Sequence, residues 1–300
     1  MPACIALRVR RTALILALLT SAAIALPVAL ADAAPKPPDR ELSVVTYNIH
    51  HGVGEDGRLD LQRIADEIRS SGAAVAGLQE VDRHWSGRSD FVDQARWLAR
   101  ELNMHAVYAA NLDRDPLSPG QPRRQYGTAI LSDYPILSSR NTLLPRPEGG
   151  EQRGLLEAVI KVRGVSVRIA NTHLQHNSAV ERTAQITRIM ELLGGSREPV
   201  VLLGDLNARP ESAEIAPLYT RYKDAWAEAG EGDGFTFSAD DPRARIDYVF
   251  ASPEIAVRSV TVLDTLASDH LPLVARLGLP GSLVGGSAVA ASQPPASTTS

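Results

Sequence analysis

The sequence predicts an α/β or α+β protein built on mixed or antiparallel β-sheets. Many short apolar runs have the length of strands and end in turn residues, about three segments show helical spacing, and several neighbouring runs form candidate hairpins. The 44% apolar and 22% charged residues are ordinary for a globular protein. A chain of 300 residues has room for one large domain or two small ones.

The first 31 residues are predicted to be a secretory signal peptide. Three arginines precede an apolar stretch at 13–30, which ends in the small-residue cleavage site Ala29-Leu30-Ala31. A membrane anchor is the alternative, because the stretch approaches the length that spans a bilayer. The Pro-rich linker at 32–40 favours cleavage, and the paired arginines leave twin-arginine export open. We therefore expect a secreted, cell-surface or periplasmic protein.

Cysteine content and charge limit the chemistry of the mature chain. Cys4 is the only cysteine and lies in the signal peptide, so the mature chain has no disulfide, thiolate metal site or cysteine nucleophile. Without the three signal arginines, 28 basic residues stand against 35 acidic ones, a net charge of −7. Because proteins that grip duplex nucleic acid carry a basic face, this charge argues weakly against nucleic acid.

The predicted domain spans residues 41–279. Its first half begins with a β-rich run at 42–49 and a Gly-rich loop at 50–58. Asp60 is placed to cap a helix that Ser71-Gly72 ends. The next predicted elements are a strand at 73–78, a helix at 91–102, a strand at 104–109, a loop at 111–124, and strands at 126–131 and 136–143.

The second half begins with a hairpin around Arg163-Gly164. The further predicted elements are a helix at 179–193, a buried strand at 200–203, a helical or irregular segment at 211–229, and strands at 235–237, 246–250, 257–262 and 271–277. The Gly, Ser, Ala, Pro and Thr composition of 280–300 predicts a disordered tail. The lack of G-x-G-x-x-G, Walker and G-x-S-x-G sequences argues against nucleotide-binding and serine-hydrolase sites.

The stretch PVVLLGDLNARP at 199–210 has the strongest functional pattern. If strand geometry persists, Asp205 and Asn207 point the same way and Leu206 points to the core. Alone, this is also the pattern of a strand followed by a polar turn. Polar residues at other strand ends favour a reaction centre: Asn48 in TYNIHHG, Glu80 in LQEVD, His173 in NTHLQH and Asp269-His270 in SDHLP. Asp247 in RIDYVF is a carboxylate inside an apolar strand, so it requires a partner.

These motifs, with YGTAILS, resemble in their joint order the endonuclease/exonuclease/phosphatase superfamily. That superfamily includes deoxyribonuclease I-like nucleases, abasic-site endonucleases, neutral sphingomyelinases and inositol polyphosphate 5-phosphatases. The resemblance runs from about Leu42 to Leu277. It implies a four-layer α/β sandwich, in which two mostly antiparallel β-sheets lie face to face between helices and loops at one end form the site.

The resemblance also implies a role for each motif residue. Glu80 is the expected metal carboxylate, assisted by Asn48 and Asp269, and such oxygen ligands suit Mg²⁺ or Mn²⁺. Asp205 is expected to orient or deprotonate the attacking water, and Asn207 to help hold the phosphate.

The remaining catalytic residues are expected around the phosphate. His270 is the expected base or hydrogen-bond donor with Asp247 setting its tautomer, His173 donates to a phosphate oxygen, and Tyr126 contacts the phosphate. Asp247 could instead pair with a nearby arginine, Arg245 or Arg243. The roles of His50 and His51 stay open, as does contact of Arg123, Arg124 and Arg153 with an anionic substrate.

The sequence thus predicts an exported, Mg²⁺-dependent hydrolase that cleaves phosphodiesters with metal-activated water, acting as a monomer on a phospholipid head group or a small phosphodiester. TYNIHHG followed by DGRLDLQRIADEI resembles exported bacterial hydrolases and the C-terminal domain of eukaryotic proteins of glycosylphosphatidylinositol (GPI) lipid remodelling. Missing disulfides and a missing aromatic-tipped hairpin depart from deoxyribonuclease I-like and sphingomyelinase relatives. The alternatives are a DNA endonuclease and a non-catalytic binding module with the same fold.

Overall fold

A computed structural model describes residues 40–281. The predicted signal peptide, linker residues 32–39 and the tail from 282 lie outside the described residues. The helices within 40–281 are α1 (Leu61–Ser71), α2 (Gln94–Leu102), α3 (Ala179–Gly194), α4 (Ala216–Tyr219) and α5 (Ala225–Ala229). None of these helices is long and apolar enough to span a bilayer.

The same range contains twelve strands. They are β1 (Glu41–Asn48), β2 (Val75–Arg83), β3 (His105–Arg114), β4 (Arg124–Ser132), β5 (Ile136–Leu143), β6 (Gly154–Val162), β7 (Val165–His173), β8 (Val200–Asp205), β9 (Lys223–Asp224), β10 (Asp247–Ala251), β11 (Ala256–Val262) and β12 (Leu273–Gly278). They form two six-stranded sheets with the orders β11-β12-β1-β2-β4-β3 and β5-β6-β7-β8-β10-β9. Two pairs are parallel, β1 with β2 across α1 and β7 with β8 across α3.

Three buried clusters establish four layers. The largest lies between the sheets and includes Val44, Ile130, Ile169 and Leu203. A second cluster packs α1 and α2 on the outer face of the first sheet, and a third packs α3 and α4 on the second. The central strands of each sheet therefore bury both faces, as the predicted sandwich requires.

Local capping explains why the main helices begin and end where they do. The Asp60 side chain accepts from two backbone N–H groups of the first turn of α1, and Gly72 ends that helix with a left-handed φ of 62°. Ser178 accepts from the N–H of Glu181 at the start of α3. The predictions of these helices are confirmed.

Several predicted elements differ from the structure, among them a helix start, a strand end and one whole strand. Helix α2 begins at Gln94 rather than at Phe91, because Asp93 caps it and Phe91 has a positive φ of 53°. Strand β3 continues to Arg114, within the predicted loop at 111–124, because β4 keeps pairing with it past a shift in register. Residues 235–237 form no strand; Phe237 makes only isolated bridges to Ala244 and His270.

Candidate active site

The predicted site residues converge at one end of the two sheets. The parallel pairs β1–β2 and β7–β8 end there, while β10 and β12 run antiparallel to their neighbours and begin there. The structure thereby gathers seven of the predicted residues: Asn48, Glu80, His173, Asp205, Asp247, Asp269 and His270.

Glu80 owes its position to a bulge in β2. The pairing of β2 with β4 shifts register between Leu78 and Val81, and Glu80 itself has a left-handed φ of 57°. Bulges beside active sites re-aim a side chain, and such backbone strain persists only where surrounding contacts impose it. The carboxylate faces Asn48, whose Nδ2 lies 3.3 Å from Glu80 Oε1.

The contact that imposes this bulge comes from the opposite sheet. Asn171 on β7 is fully buried; its Nδ2 donates to the carbonyl oxygens of Leu78 and Ala129, each at 2.9 Å, and its Oδ1 accepts from Gln79 Nε2 at 2.7 Å. Leu78 and Ala129 are the last pair before the register shift. In the sequence, Asn171 was visible only as a polar residue continuing an apolar strand face, and its role was missed.

Two histidines whose roles the sequence left open lie beside Glu80. His50 and His51 form a 3₁₀ turn after β1, and potential ligand atoms of the three side chains lie within 4.8 Å of one another. Burial, with the charges of Arg88 and His50, lowers the pKa of His51 to about 3, so its imidazole is neutral at pH 7. Its Nδ1 is buried without a hydrogen-bond partner.

Asn48 joins the Glu80 side of the site to Asp205. Its Nδ2 lies 3.1 Å from Asp205 Oδ2, while its Oδ1 accepts from the backbone N–H of His50 at 3.1 Å. The amide therefore turns its nitrogen toward the carboxylates, and its oxygen is already engaged. Asp269 approaches from β12's entry loop, with Oδ1 3.8 Å from His50 Nδ1.

Asp205 is the centre of the other half of the site. Its Oδ2 lies 3.4 Å from His173 Nε2 and 3.7 Å from His270 Nε2. His270 Nδ1 lies 2.8 Å from Asp247 Oδ2, which confirms the predicted pairing. Arg245, the alternative partner of Asp247, pairs instead with another aspartate at 2.7 Å.

Burial and charge give these groups different protonation states. Burial, assisted by Asp247, raises the pKa of Asp205 to about 7. Burial lowers the pKa of His270, but Asp247 and Asp205 outweigh it and raise that pKa to about 10. Burial and Arg153 hold the pKa of His173 well below its usual value. At neutral pH, His270 is thus protonated and positively charged, and His173 is neutral. Asp205 can gain or lose a proton near this pH.

Asn207 departs from the geometry expected of it. Strand β8 ends at Asp205, and Asn207 takes a left-handed φ of 49° because its backbone N–H donates to Asp205 Oδ1 at 2.9 Å. Its Nδ2 donates to the Leu174 carbonyl oxygen at 3.1 Å. Strand geometry therefore does not persist through Asn207, so the condition for Asp205 and Asn207 to point the same way is not met, whereas Leu206 is buried in the core as expected.

Tyr126 lies on β4 on the Glu80 side of the site and is only 8% exposed. Burial, with the nearby Glu80 charge, raises its pKa well above 10, so the phenol stays neutral. Arg88 lies over the Tyr126 ring, 5.4 Å from its centroid, and is held by Asp82 through two bonds of 2.9 and 2.8 Å. Trp85 packs against the same ring at 5.9 Å. The packing of Arg88 and Trp85 against Tyr126 was not predicted.

Comparison with known proteins identifies the fold. Residues 45–270 match the Endonuclease/Exonuclease/phosphatase family. The chain belongs to this family. Its members are phosphoesterases and nucleases, and they typically depend on a divalent cation.

Individual relatives of the family agree with this assignment. Protein cwh43 of Schizosaccharomyces pombe is 30% identical over 175 residues, which are 58% of this chain but only 17% of that protein. A Beutenbergia cavernae endonuclease/exonuclease/phosphatase structure is 30% identical with a TM-score of 0.71, covering 82% of this chain and 73% of that one. The mannosyl-6-phosphatase of Bacteroides thetaiotaomicron, 19% identical with a TM-score of 0.63, covers 79% and 99% and shares the fold.

The residues near Glu80 fit the divalent cation on which the family typically depends. A carboxylate and two imidazoles place donor atoms within 4.8 Å of one another, close enough to contact one ion. The buried Nδ1 of His51, which no hydrogen bond satisfies, is an atom that a cation would satisfy. The side of the site around Glu80 can therefore hold a cation, and the side around Asp205 can move protons.

Proposed function

We propose that this chain is an exported, divalent-cation-dependent phosphodiesterase that uses water as the nucleophile and acts on small or lipid phosphodiesters. The supporting observation is the buried Asp205 carboxylate between two histidines, with Asp247 behind His270. A carboxylate that can take a proton beside an imidazolium that can give one suits hydrolysis of an anionic ester.

The chain's own residues have separable roles in this proposal. Asp205 orients water and accepts its proton, because its raised pKa lies near neutrality. His270 donates through Nε2 to a phosphoryl oxygen, while Asp247 holds Nδ1 and fixes the ring. His173, 3.4 Å from Asp205, offers a further donor to the phosphate.

A cation, Mg²⁺ or Mn²⁺, would be held around Glu80 with Asp269 at its edge. When bound, it supplies Lewis-acid stabilisation of the charge that grows on the phosphoryl oxygens. Asn48 donates to both Glu80 and Asp205 and so fixes the position of the cation side of the site relative to the side that holds the water.

The substrate size is inferred from the positive charges around the site. Arg88 is bound by Asp82, Arg153 by Glu151 at 2.9 Å, and Arg123 by two exposed aspartates. Because these arginines are already paired with carboxylates, they offer little free positive charge to bind the successive phosphates of a duplex. The mature net charge of −7 further disfavours binding of a duplex. A phosphodiester with one or two phosphates needs no such track.

The test is a side-by-side rate comparison on lipid phosphodiesters, small phosphodiesters and plasmid DNA, with Mg²⁺ or Mn²⁺ and at two salt concentrations. We expect kcat/KM to be higher on the lipid or small diesters, to depend weakly on salt, and to be lost in chelator. Asp205→Asn is the inactive control. Efficient plasmid nicking with a log-log salt slope near −0.9 per phosphate contacted, and no turnover of the other diesters, would replace the proposal with a nuclease.

Export is tested separately. Cleavage after Ala31 gives a mature protein that begins at Asp32, and N-terminal sequencing of the protein from the medium or periplasm reads this directly. A protein that retains Met1 and stays in the membrane fraction would support the anchor instead.

A further inference from the structure

The 3₁₀ turn after β1 brings two adjacent imidazoles to the carboxylate of Glu80. His50 and His51 have φ values of 42° and 45°, and Glu80 has 57°. These are left-handed conformations that residues other than glycine seldom adopt, and they cluster where function requires strain. Three such residues, all bearing potential ligand atoms, meet at this one place.

Contacts from the surrounding structure impose the conformation of the turn. The His51 carbonyl oxygen accepts from Gln94 Nε2 at 2.7 Å, and Gly52 N–H donates to the Ile49 carbonyl at 2.7 Å. The His50 N–H is bound by Asn48. The backbone is therefore fixed on both sides of the two rings, which pack edge to face with centroids 4.6 Å apart.

The Nδ1 atoms of both rings lack a hydrogen-bond partner among the described residues. His51 Nδ1 is buried without a hydrogen-bond partner, and His50 Nδ1 lies 3.8 Å from Asp269 Oδ1, beyond hydrogen-bond distance. A buried ring nitrogen without a hydrogen-bond partner is unfavourable unless a ligand meets it. Potential ligand atoms of both rings and of Glu80 lie within 4.8 Å of one another, so a single ion can contact all three.

We propose that His50, His51 and Glu80 form a mixed nitrogen and oxygen site that selects a first-row transition dication, Mn²⁺ through Zn²⁺, over Mg²⁺. Imidazole nitrogen suits these ions, whereas Mg²⁺ prefers an all-oxygen shell and retains its waters. The inference deepens the proposed function, because it concerns the cation on which that hydrolysis depends.

The first experiment uses the unaltered protein and Co²⁺ as a spectroscopic probe. We expect visible d–d absorption on titration, and two hyperfine-shifted, solvent-exchangeable imidazole N–H signals in the proton NMR spectrum. Zn²⁺ added in competition should abolish both, and Mg²⁺ should not at the same concentration. A Co²⁺ complex without shifted imidazole signals overturns the proposal.

The second experiment measures Co²⁺, Mn²⁺ and Mg²⁺ affinity by calorimetry in variants. His50→Asn with His51→Asn removes both rings, and asparagine tolerates a left-handed φ, so the turn is retained. Co²⁺ affinity should fall by at least about tenfold, since even the loss of a residue that hydrogen-bonds to a metal ligand typically lowers metal affinity by that factor. Mg²⁺ affinity should stay within about threefold, because the oxygen ligands remain.

Two further variants show whether the three residues act as one site. His84→Asn is the matched control, because His84 also has a left-handed φ of 54° but contacts the Phe91 carbonyl instead; it should leave all affinities unchanged. Glu80→Gln should weaken both Co²⁺ and Mg²⁺. Unchanged Co²⁺ binding in Glu80→Gln would mean that the histidines bind metal apart from the carboxylate, and would overturn the proposal.

Hydrolysis measured on the same proteins separates this proposal from the proposed function. Imidazole signals with no hydrolysis under any cation would refute the phosphodiesterase and leave the ion site standing. Mg²⁺-supported hydrolysis with Co²⁺ affinity unaltered in the double asparagine variant would refute the ion site and leave the phosphodiesterase standing.

Discussion

Replacing Asn171 with leucine should destabilise the fold and displace Glu80 together. The change keeps the branching and the number of heavy atoms of the side chain but removes the two bonds of 2.9 Å from Nδ2 to the carbonyl oxygens of Leu78 and Ala129. Each buried carbonyl left unpaired costs about 1–3 kcal/mol, so we expect about 4 kcal/mol lost from the free energy of unfolding. Gln79 Nε2 loses the Asn171 oxygen as an acceptor but still donates to Thr46 and to the Gly77 carbonyl. Since domains are stable by about 5–15 kcal/mol, the variant should fold at 25 °C.

The assay is urea unfolding followed by tryptophan fluorescence, with kcat measured on the folded variant. We expect a lower midpoint at unchanged slope and a loss of kcat, because the bulge that aims Glu80 is no longer held. Thr172→Val is the comparison: its hydroxyl makes one buried bond of 2.9 Å to the Gly154 carbonyl, so about 2 kcal/mol, half the loss in Asn171→Leu, is expected. If Asn171→Leu cost no more than Thr172→Val, the bridge would not support the bulge.

Three other variants test separate parts of the molecule. Glu80→Gln should lower kcat by about 10²-fold or more while the circular dichroism spectrum is retained; full activity would contradict the cation role. Asp247→Asn should lower kcat by about 10²-fold with little change in KM, because it orients His270 rather than binding substrate; a pure KM effect would oppose this. Arg168 lowers the pKa of Glu198, so their bond stabilises the fold above the ordinary glutamate pKa and is lost as pH falls through the lowered one. Glu198→Gln should therefore cost roughly 0.5 kcal/mol at pH 7, and the cost should shrink as pH falls through the lowered pKa in urea unfolding; a cost that does not shrink with acidification would contradict it.

Features determined by neighbours in the sequence could be predicted. Asp60 and Gly72 mark the ends of α1 because capping depends on a few adjacent residues. The resemblance carried by the order of the motifs predicted that Asp247 would pair with His270 beside Asp205, and the distances agree. Short apolar runs bounded by turn residues were sufficient to place most strands.

Features determined by distant contacts could not be predicted. The bulge that aims Glu80 depends on Asn171, which is 91 positions away in the chain and on the other sheet. The approach of His50 and His51 to Glu80 depends on left-handed backbone conformations at all three residues. Histidine is enriched in that region, but the enrichment does not tell which histidine adopts it or what its ring will face. The end of β8 before Asn207 depends on a side chain bonding to a backbone N–H, which overrides the strand period.

The site is divided between the two sheets, so a ligand that contacts both halves of the site connects one sheet to the other. Glu80 belongs to the first sheet and Asp205 to the second, and Asn48 joins their carboxylates. A bound phosphate that touches both would resist the parting of the sheets, and its binding free energy would add to the resistance of the fold to heat. A cation bound alone beside Glu80 would contact residues of the first sheet only. Thermal melts should therefore show a larger rise in Tm for phosphate and cation together than the sum of their separate rises.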